Sequence, residues 1–247
     1  MPEQTFTFPA IGVLQSCFRA KFGIPRQPGL IPEATGAIEL LPPYDQPNTV
    51  RGLEDFSHLW VLFVFHEAIR ESWKATVRPP RLGGDRRIGV FASRSPFRPS
   101  PIGMSVVRLR NIRCAKAKVI LDVDGVDILD NTPVLDLKPY LPYADIVPAA
   151  TGGFAPEAPR LDALPTSFSP TAETQAKAVE KCFPGFRELA RKVVSADPRP
   201  AYQREPGRVY GVFLHDYEVV WEAGETSAVI VAINRASPSP APQSPAP

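Results

Sequence analysis

The chain has 247 residues, 28 basic and 26 acidic side chains, a net charge of +2, and 44% apolar and 22% charged residues. This is ordinary for a soluble globular protein, with length for one large or two modest cores. Three widely spaced cysteines (Cys17, Cys114, Cys182) without a C-x-x-C pattern support neither a disulfide framework nor a zinc site. No run approaches 18 apolar residues and no charged leader precedes an apolar stretch, so the expectation is a cytoplasmic protein with no membrane partner and no metal.

Thirty prolines argue for strands and stiff loops. In chain order, Phe6–Leu14, Ala37–Leu41, Gly89–Ala92, Met104–Ile112 and Lys118–Val123 read as short strands bounded by Gly, Pro or charged clusters. The apolar run from His58 to His66 suits a strand buried on both faces. Turn signals recur too often for βαβ units, which predicts a closed or nearly closed β-barrel over residues 1–147. Residues 148–168 read as a Pro/Gly-rich connector. A small α+β domain then spans 169–236. Ser169 caps a helix that starts at Pro170 and runs to Phe183, and Phe186, Leu189, Ala190, Val193 and Val194 form one face of a second helix. Three antiparallel strands (Val209–Leu214, Tyr217–Glu222, Ala228–Ile233) follow, the first pair turning at His215-Asp216. Residues 237–247, Pro/Ser/Ala-rich, read as a disordered tail. The fold class predicted is mainly β with an α+β appendage.

Chemistry concentrates in five places. Arg94 and Arg98 sit on a loop stiffened by Pro96, Pro99 and Pro101, an arrangement suited to holding an anion, although a solvated basic loop has the same local look. Residues 70–98 carry eight basic and two acidic side chains, a local charge of +6, which suggests a polyanionic partner. Pro25-Arg26-Gln27-Pro28-Gly29 is a second arginine loop, and His66-Glu67 closes the apolar strand where pockets often open. Asp122, Asp124, Asp127 and Asp130 alternate with apolar residues. They offer acceptors for ribose hydroxyls or an amine, or simply a solvated strand face, and lack the pattern of a calcium loop. Lastly, Asp197-Pro-Arg-Pro-Ala-Tyr202 holds an acid, a guanidinium and a phenol between prolines, close to Arg187, Arg191, Lys192, Arg204 and Arg208. Such a loop can grip phosphate and stack on an unpaired base, or it merely ends a helix. No dinucleotide fingerprint, Walker A sequence or nucleophile elbow is present.

Taken in order, Ile11-Gly12-Val13, Pro25–Gly29, Arg51-Gly52-Leu53-Glu54, Phe56–Trp60, Arg94 with Phe97-Arg98-Pro99, Pro101–Met104, Thr132-Pro133-Val134, Asp136 with Lys138-Pro139-Tyr140, and Asp197–Tyr202 resemble the TrmO family, also called TsaA or YaeB. The resemblance spans residues 6 to about 233 and spares the connector and the tail. It implies a dimeric S-adenosylmethionine-dependent methyltransferase with a barrel cofactor domain, acting on N6 of threonylcarbamoyladenosine beside the anticodon of threonine tRNA. By the family pattern Pro25, Arg26, Gln27, His66, Glu67, Arg94, Met104, Asp124, Asp127 and Asp130 would line the cofactor site, near the subunit interface. Asp197, Arg199 and Tyr202 would serve the transfer, and residues 70–98 with 187–208 would form the tRNA surface. A non-catalytic protein that senses S-adenosylmethionine or binds RNA on the same barrel is the alternative. The Asp197–Tyr202 constellation argues against it.

Overall fold

The computed structural model describes residues 4–115, 118–199 and 205–236. The chain lays down β1 (Gly12–Ser16), β2 (Thr35–Leu40) and β3 (His58–Val64), then a two-stranded ribbon of β4 (Thr76–Val77) and β5 (Ile88–Gly89). β6 (Ile102–Ala115), β7 (Lys118–Asp124), β8 (Thr132–Pro139) and the one-turn helix α1 (Pro142–Asp145) follow. Six of these strands close a barrel in the order β1-β2-β7-β6-β3-β8, every neighbour antiparallel, β8 returning to β1.

Period-two patterning fills the barrel. Leu14, Ile38, Leu59, Val61, Phe63, Val107, Leu121, Val123 and Val134 are buried, and the residues between them look outward. Gly103 is required by this packing, because a Cβ there would lie 2.3 Å from the Phe63 ring.

Three strand readings are corrected. β3 is not buried on both faces, since His58, Trp60, Leu62 and Val64 are only half-buried; a one-layer barrel has a single interior. The first strand starts at Gly12, leaving Phe6 and Phe8 exposed. Gly89–Ala92 is the end of β5 followed by a 3₁₀ turn at Val90–Ala92. β8 was not anticipated, because Pro133, Asp136, Lys138 and Pro139 mask its alternation.

The second unit starts earlier than expected. β9 (Thr166–Phe168), inside the stretch read as connector, pairs parallel with the last strand. Helices α2 (Pro170–Glu180) and α3 (Phe186–Ser195) pack on the four-stranded sheet β10-β11-β12-β9, made by β10 (Arg208–Leu214), β11 (Tyr217–Ala223) and β12 (Ala228–Arg235). Ser169 Oγ accepts a hydrogen bond from the Ala172 amide at 3.1 Å, an N-cap with Pro170 opening the helix. The helix ends at Glu180, before Phe183. Leu189, Ala190, Val193 and Val194 of α3 are buried.

The two units meet through one hydrophobic cluster. Phe18 bridges Leu214, the His215 amide donates to the Cys17 carbonyl at 2.7 Å, and Lys192 pairs with Glu33 at 2.7 Å. Arg19 clamps Asp130 at 2.9 Å and Asp216 at 2.8 Å.

Candidate active site at one rim of the barrel

Strict antiparallel order gathers the segments between strands. The ends of β1, β3 and β7 and the starts of β2, β6 and β8 share one rim, so the Pro25–Gly29 loop, His66-Glu67, the Arg94–Arg98 loop and the Gly125–Asp130 turn all emerge there.

The first arginine loop is held from two sides. The Gly29 amide donates to the Gly125 carbonyl at 2.8 Å. On the other side Gly23 (φ +96°) lies against β10, where a Cβ would sit 2.2 Å from Val212 Cγ2, so both its backbone angle and its contact demand glycine. Phe22 stacks on Tyr210 with ring centroids 6.4 Å apart. The second arginine loop reaches the first directly: Arg94 Nη1 donates to Gln27 Oε1 at 2.5 Å. Beneath them, Ser105 Oγ donates to Asp127 Oδ1 at 2.6 Å. Burial pushes the Asp127 carboxyl up to about 6, with the Ser105 hydrogen bond and the nearby Arg94 charge opposing the rise. A desolvated carboxylate within the field of an arginine at the barrel rim is a candidate functional group.

Arg26, Gln27 and Arg94 line a cleft of about 1840 Å³, walled also by residues 70–81, 91–99 and 152–160. His66 and Glu67 stand at its edge. Their neighbour Ala68 lines the cleft, while Glu67 pairs with Lys21 at 3.1 Å. Pro25 is half-buried and stiffens the loop. The other predicted cofactor residues are not brought into this cluster. Asp124 points outward from β7 and faces Arg110 at 3.7 Å. Asp130 spends Oδ1 on the Ser16 amide and Oδ2 on Arg19, so it locks the junction of the two units. Met104 points outward from β6, opposite Leu62 and 53% exposed.

Arg199 differs from the sequence expectation most. It is 5% exposed, with Nε on Asp197 Oδ1 at 2.6 Å and Nη2 on Asp197 Oδ2 at 3.0 Å. Its guanidinium lies 5.9 Å from the centroid of Trp221, which stacks on Tyr210 at 4.8 Å. Asp197 takes a left-handed backbone, φ 50°, at the end of α3. Arg199 is therefore not poised to grip a phosphate. It braces an aromatic ladder (Trp221, Tyr210, Phe22) that ends on the Arg26–Gln27 loop. Tyr202 lies outside the described residues. Ser105, Phe22, Tyr210 and Trp221 were missed by sequence reasoning; of these only Ser105 carried a signal, as a polar residue at an inward position of a strand.

The expected tRNA surface also divides. Arg187 pairs with Glu173, Arg191 with Glu188, and Lys192 with Glu33 and Glu188. Among the described residues, no basic side chain of 70–98 enters a salt bridge. No cluster of three or more His, Cys, Asp or Glu suited to a metal occurs among them, and no helix is long and apolar enough to cross a membrane.

Comparison with known proteins agrees with this geometry. Residues 13–146 match the model of the tRNA-methyltransferase O N-terminal domain, and residues 162–236 match that of the TrmO C-terminal domain. The chain is 47% identical over 231 residues to the tRNA (adenine(37)-N6)-methyltransferase of Escherichia coli, covering 93% of this chain and 98% of that protein. It is 48% identical over 219 residues to a putative S-adenosylmethionine-dependent methyltransferase of Pseudomonas aeruginosa, covering 88% and 92%. The crystal structure of TrmO from Pseudomonas aeruginosa superposes with a TM-score of 0.79 at 39% identity, covering 93% of this chain and 98% of that one. With both domain models matched in order around the barrel rim and its appended sheet, the chain belongs to the TrmO family.

Proposed function

We propose that the protein transfers a methyl group from S-adenosylmethionine to N6 of the adenosine beside the anticodon of tRNA, with a threonine tRNA carrying threonylcarbamoyladenosine as substrate. The observation that carries the site assignment is the direct Arg94–Gln27 contact, which ties two separate rim loops together, with Asp127, held by Ser105, close enough to feel the Arg94 charge.

The donor set fits the cofactor. Its carboxylate suits the Arg94 guanidinium, which Gln27 steadies, with Arg26 on the neighbouring turn. A bound ammonium would compensate Asp127, whose carboxyl is otherwise pushed up by burial. His66 and Glu67 flank the same rim. When bound, S-adenosylmethionine supplies an already activated methyl group on a sulfonium. The protein's own task is then positioning, which is worth several kcal/mol without a strong base. Gln27 and Ser105 fix the binding groups, and Asp197 and Arg199 brace the loop that carries Arg26 and Gln27. In the transfer the methyl carbon would exchange its bond to the sulfonium sulfur, which leaves as a neutral thioether, for the bond to N6, and the N6 proton would pass to water, eased by the carbamoyl group on that nitrogen.

A second copy of the chain fits the outer face of β3 and β6. Met104 opposite Leu62 and Ile102 opposite Val64 make an apolar strip beside the rim, which supports a homodimer with the cofactor site near its interface. A tRNA substrate accords with a cytoplasmic location. The test is methyl transfer by the purified protein to tRNA isolated with and without the threonylcarbamoyl group, read by nucleoside mass spectrometry. A methyl on N6 of the adenosine beside the anticodon in threonine tRNA is the expected product. Methylation at any other position, or none, would overturn the assignment.

A further inference from the structure

The cleft is far larger than one cofactor needs. Its volume of about 1840 Å³ exceeds the roughly 300–1,000 Å³ typical of a small-molecule site. Nine basic side chains and only two acidic ones line it, and four large aromatic rings in it face solvent: Phe91 at 74% exposure, Trp73 at 55%, Phe97 at 41% and Phe154 at 36%. Core packing does not explain Phe91. The turn that carries it is anchored by buried Val90, whose amide donates to the Ala75 carbonyl at 2.9 Å, and that anchor holds the Phe91 ring out into the cleft. Two of the rings are paired with arginines. Arg70 lies 3.9 Å from the Phe97 centroid and Arg98 lies 6.0 Å from the Phe91 centroid. Arg98 is steadied by the Ser93 carbonyl at 3.1 Å, and Arg81 bonds the Glu157 carbonyl of the opposite wall.

A flat aromatic face with a guanidinium beside it is the pairing that receives an unstacked base and its phosphate. From these observations we infer that Phe91 and Trp73 are stacking platforms for single-stranded nucleotides flanking the target adenosine, and that Arg98 and Arg70, which already lies over the Phe97 ring, neutralise their phosphates. The inference rests on the methyltransferase reading and adds to it how the anticodon loop is held open. A duplex, whose bases are already stacked, gains nothing from these rings.

The test uses fluorescence anisotropy with the full chain, an unstructured RNA of about eight nucleotides and a duplex of similar length. The single strand should bind more tightly. Phe91→Ala and Trp73→Ala should each weaken it about ten-fold with the salt slope unchanged, while Arg98→Ala should reduce the slope by about one. Single-strand binding that is unaltered in both aromatic variants, or equal affinity for the duplex, would overturn the proposal. Titration of the same variants with S-adenosylmethionine should give wild-type affinity; loss of that affinity would assign the rings to the donor site and overturn the stacking role. Wild-type protein that binds neither RNA nor S-adenosylmethionine would overturn the methyltransferase reading itself.

Discussion

Arg94 and Arg199 look alike in sequence, each an arginine on a proline-stiffened loop, yet the fold gives them opposite environments. Arg94 is exposed at the rim and makes one side-chain hydrogen bond, to Gln27, which leaves most of its five donors for a ligand. Arg199 is buried, and both carboxylate oxygens of Asp197 are matched to its fork. Two buried charges in that geometry keep one another tolerable at a desolvation cost of several kcal/mol per ion, so neither can be spent on a ligand cheaply. Proline stiffness alone does not distinguish a binding loop from a brace; burial and saturation of the donors do.

Breaking the brace should have the largest effect. Arg199→Ala removes the guanidinium matched to the Asp197 carboxylate, whose side chain is only 10% exposed, and should cost about 3–5 kcal/mol, lowering the melting temperature by about 10 °C. Asp197→Asn, which still tolerates the left-handed backbone, should destabilise in the same direction. Methylation should fall along with stability, because the ladder through Trp221, Tyr210 and Phe22 ends on the Arg26–Gln27 loop. A wild-type melting curve for Arg199→Ala with lost methylation would return Arg199 to a direct role on the substrate.

Next in size are two buried titrations of opposite sign. Burial pushes Asp127 up to about 6, so the folded state holds a proton that the unfolded chain has released. Its contribution is present below about pH 4 and is lost as pH rises through about 6. Burial against Phe183, 4.1 Å centroid to centroid, pushes His215 down to about 4. The unfolded chain then binds the extra proton, and stability is lost as pH falls from about 6.5 to about 4. Each effect is about 2–3 kcal/mol at most, and between pH 4 and 6 they oppose one another in the wild type. Urea unfolding across that window should show Asp127→Asn gaining on the wild type as pH rises and His215→Asn gaining as pH falls. Parallel curves for either variant would show that its group does not titrate across the window.

These effects mark what was legible in the sequence. The barrel and the second unit could be read because alternation, helix caps and turn residues are local signals, and Ser169-Pro170 or His215-Asp216 carry them plainly. β8 was lost because its prolines and charges hide the period, and β9 because three residues in a Pro-rich stretch give no period at all. At the site, residue type suggested Arg94 and Asp127 but also Asp124 and Asp130, since four alternating aspartates look equivalent until register decides which face and which neighbour each receives. The Arg199 brace depends on Trp221 and Tyr210, which lie on two strands beyond it, and no local pattern in Asp197–Tyr202 reports that contact.

On the exposed side of the comparison, Arg94→Ala should cost about 1.5–3 kcal/mol in S-adenosylmethionine affinity, as expected for a charge-assisted contact, and shift stability by less than about 0.5 kcal/mol. Calorimetry and thermal melts on one preparation read both. Unchanged affinity would remove Arg94 from the cofactor site, whereas a large loss of stability would make it a second brace.

The smallest effect separates packing from binding at the edge of the cleft. Glu67 pairs with Lys21 at 3.1 Å, and both side chains are more than half exposed, so water and salt screen the attraction. Lys21 also donates to the Glu67 carbonyl at 2.9 Å, a contact that survives any change at the carboxylate. Glu67→Gln should therefore move stability by no more than about 0.5–1 kcal/mol, and that shift should vanish at high salt. Cofactor affinity is the discriminating readout. A Glu67 that only tethers Lys21 leaves it untouched in Glu67→Gln and in Lys21→Met alike. A Glu67 that meets the cofactor weakens it in Glu67→Gln while Lys21→Met keeps the wild-type value. The second pattern is expected from the proposed site, and equal behaviour of the two variants would take Glu67 out of it.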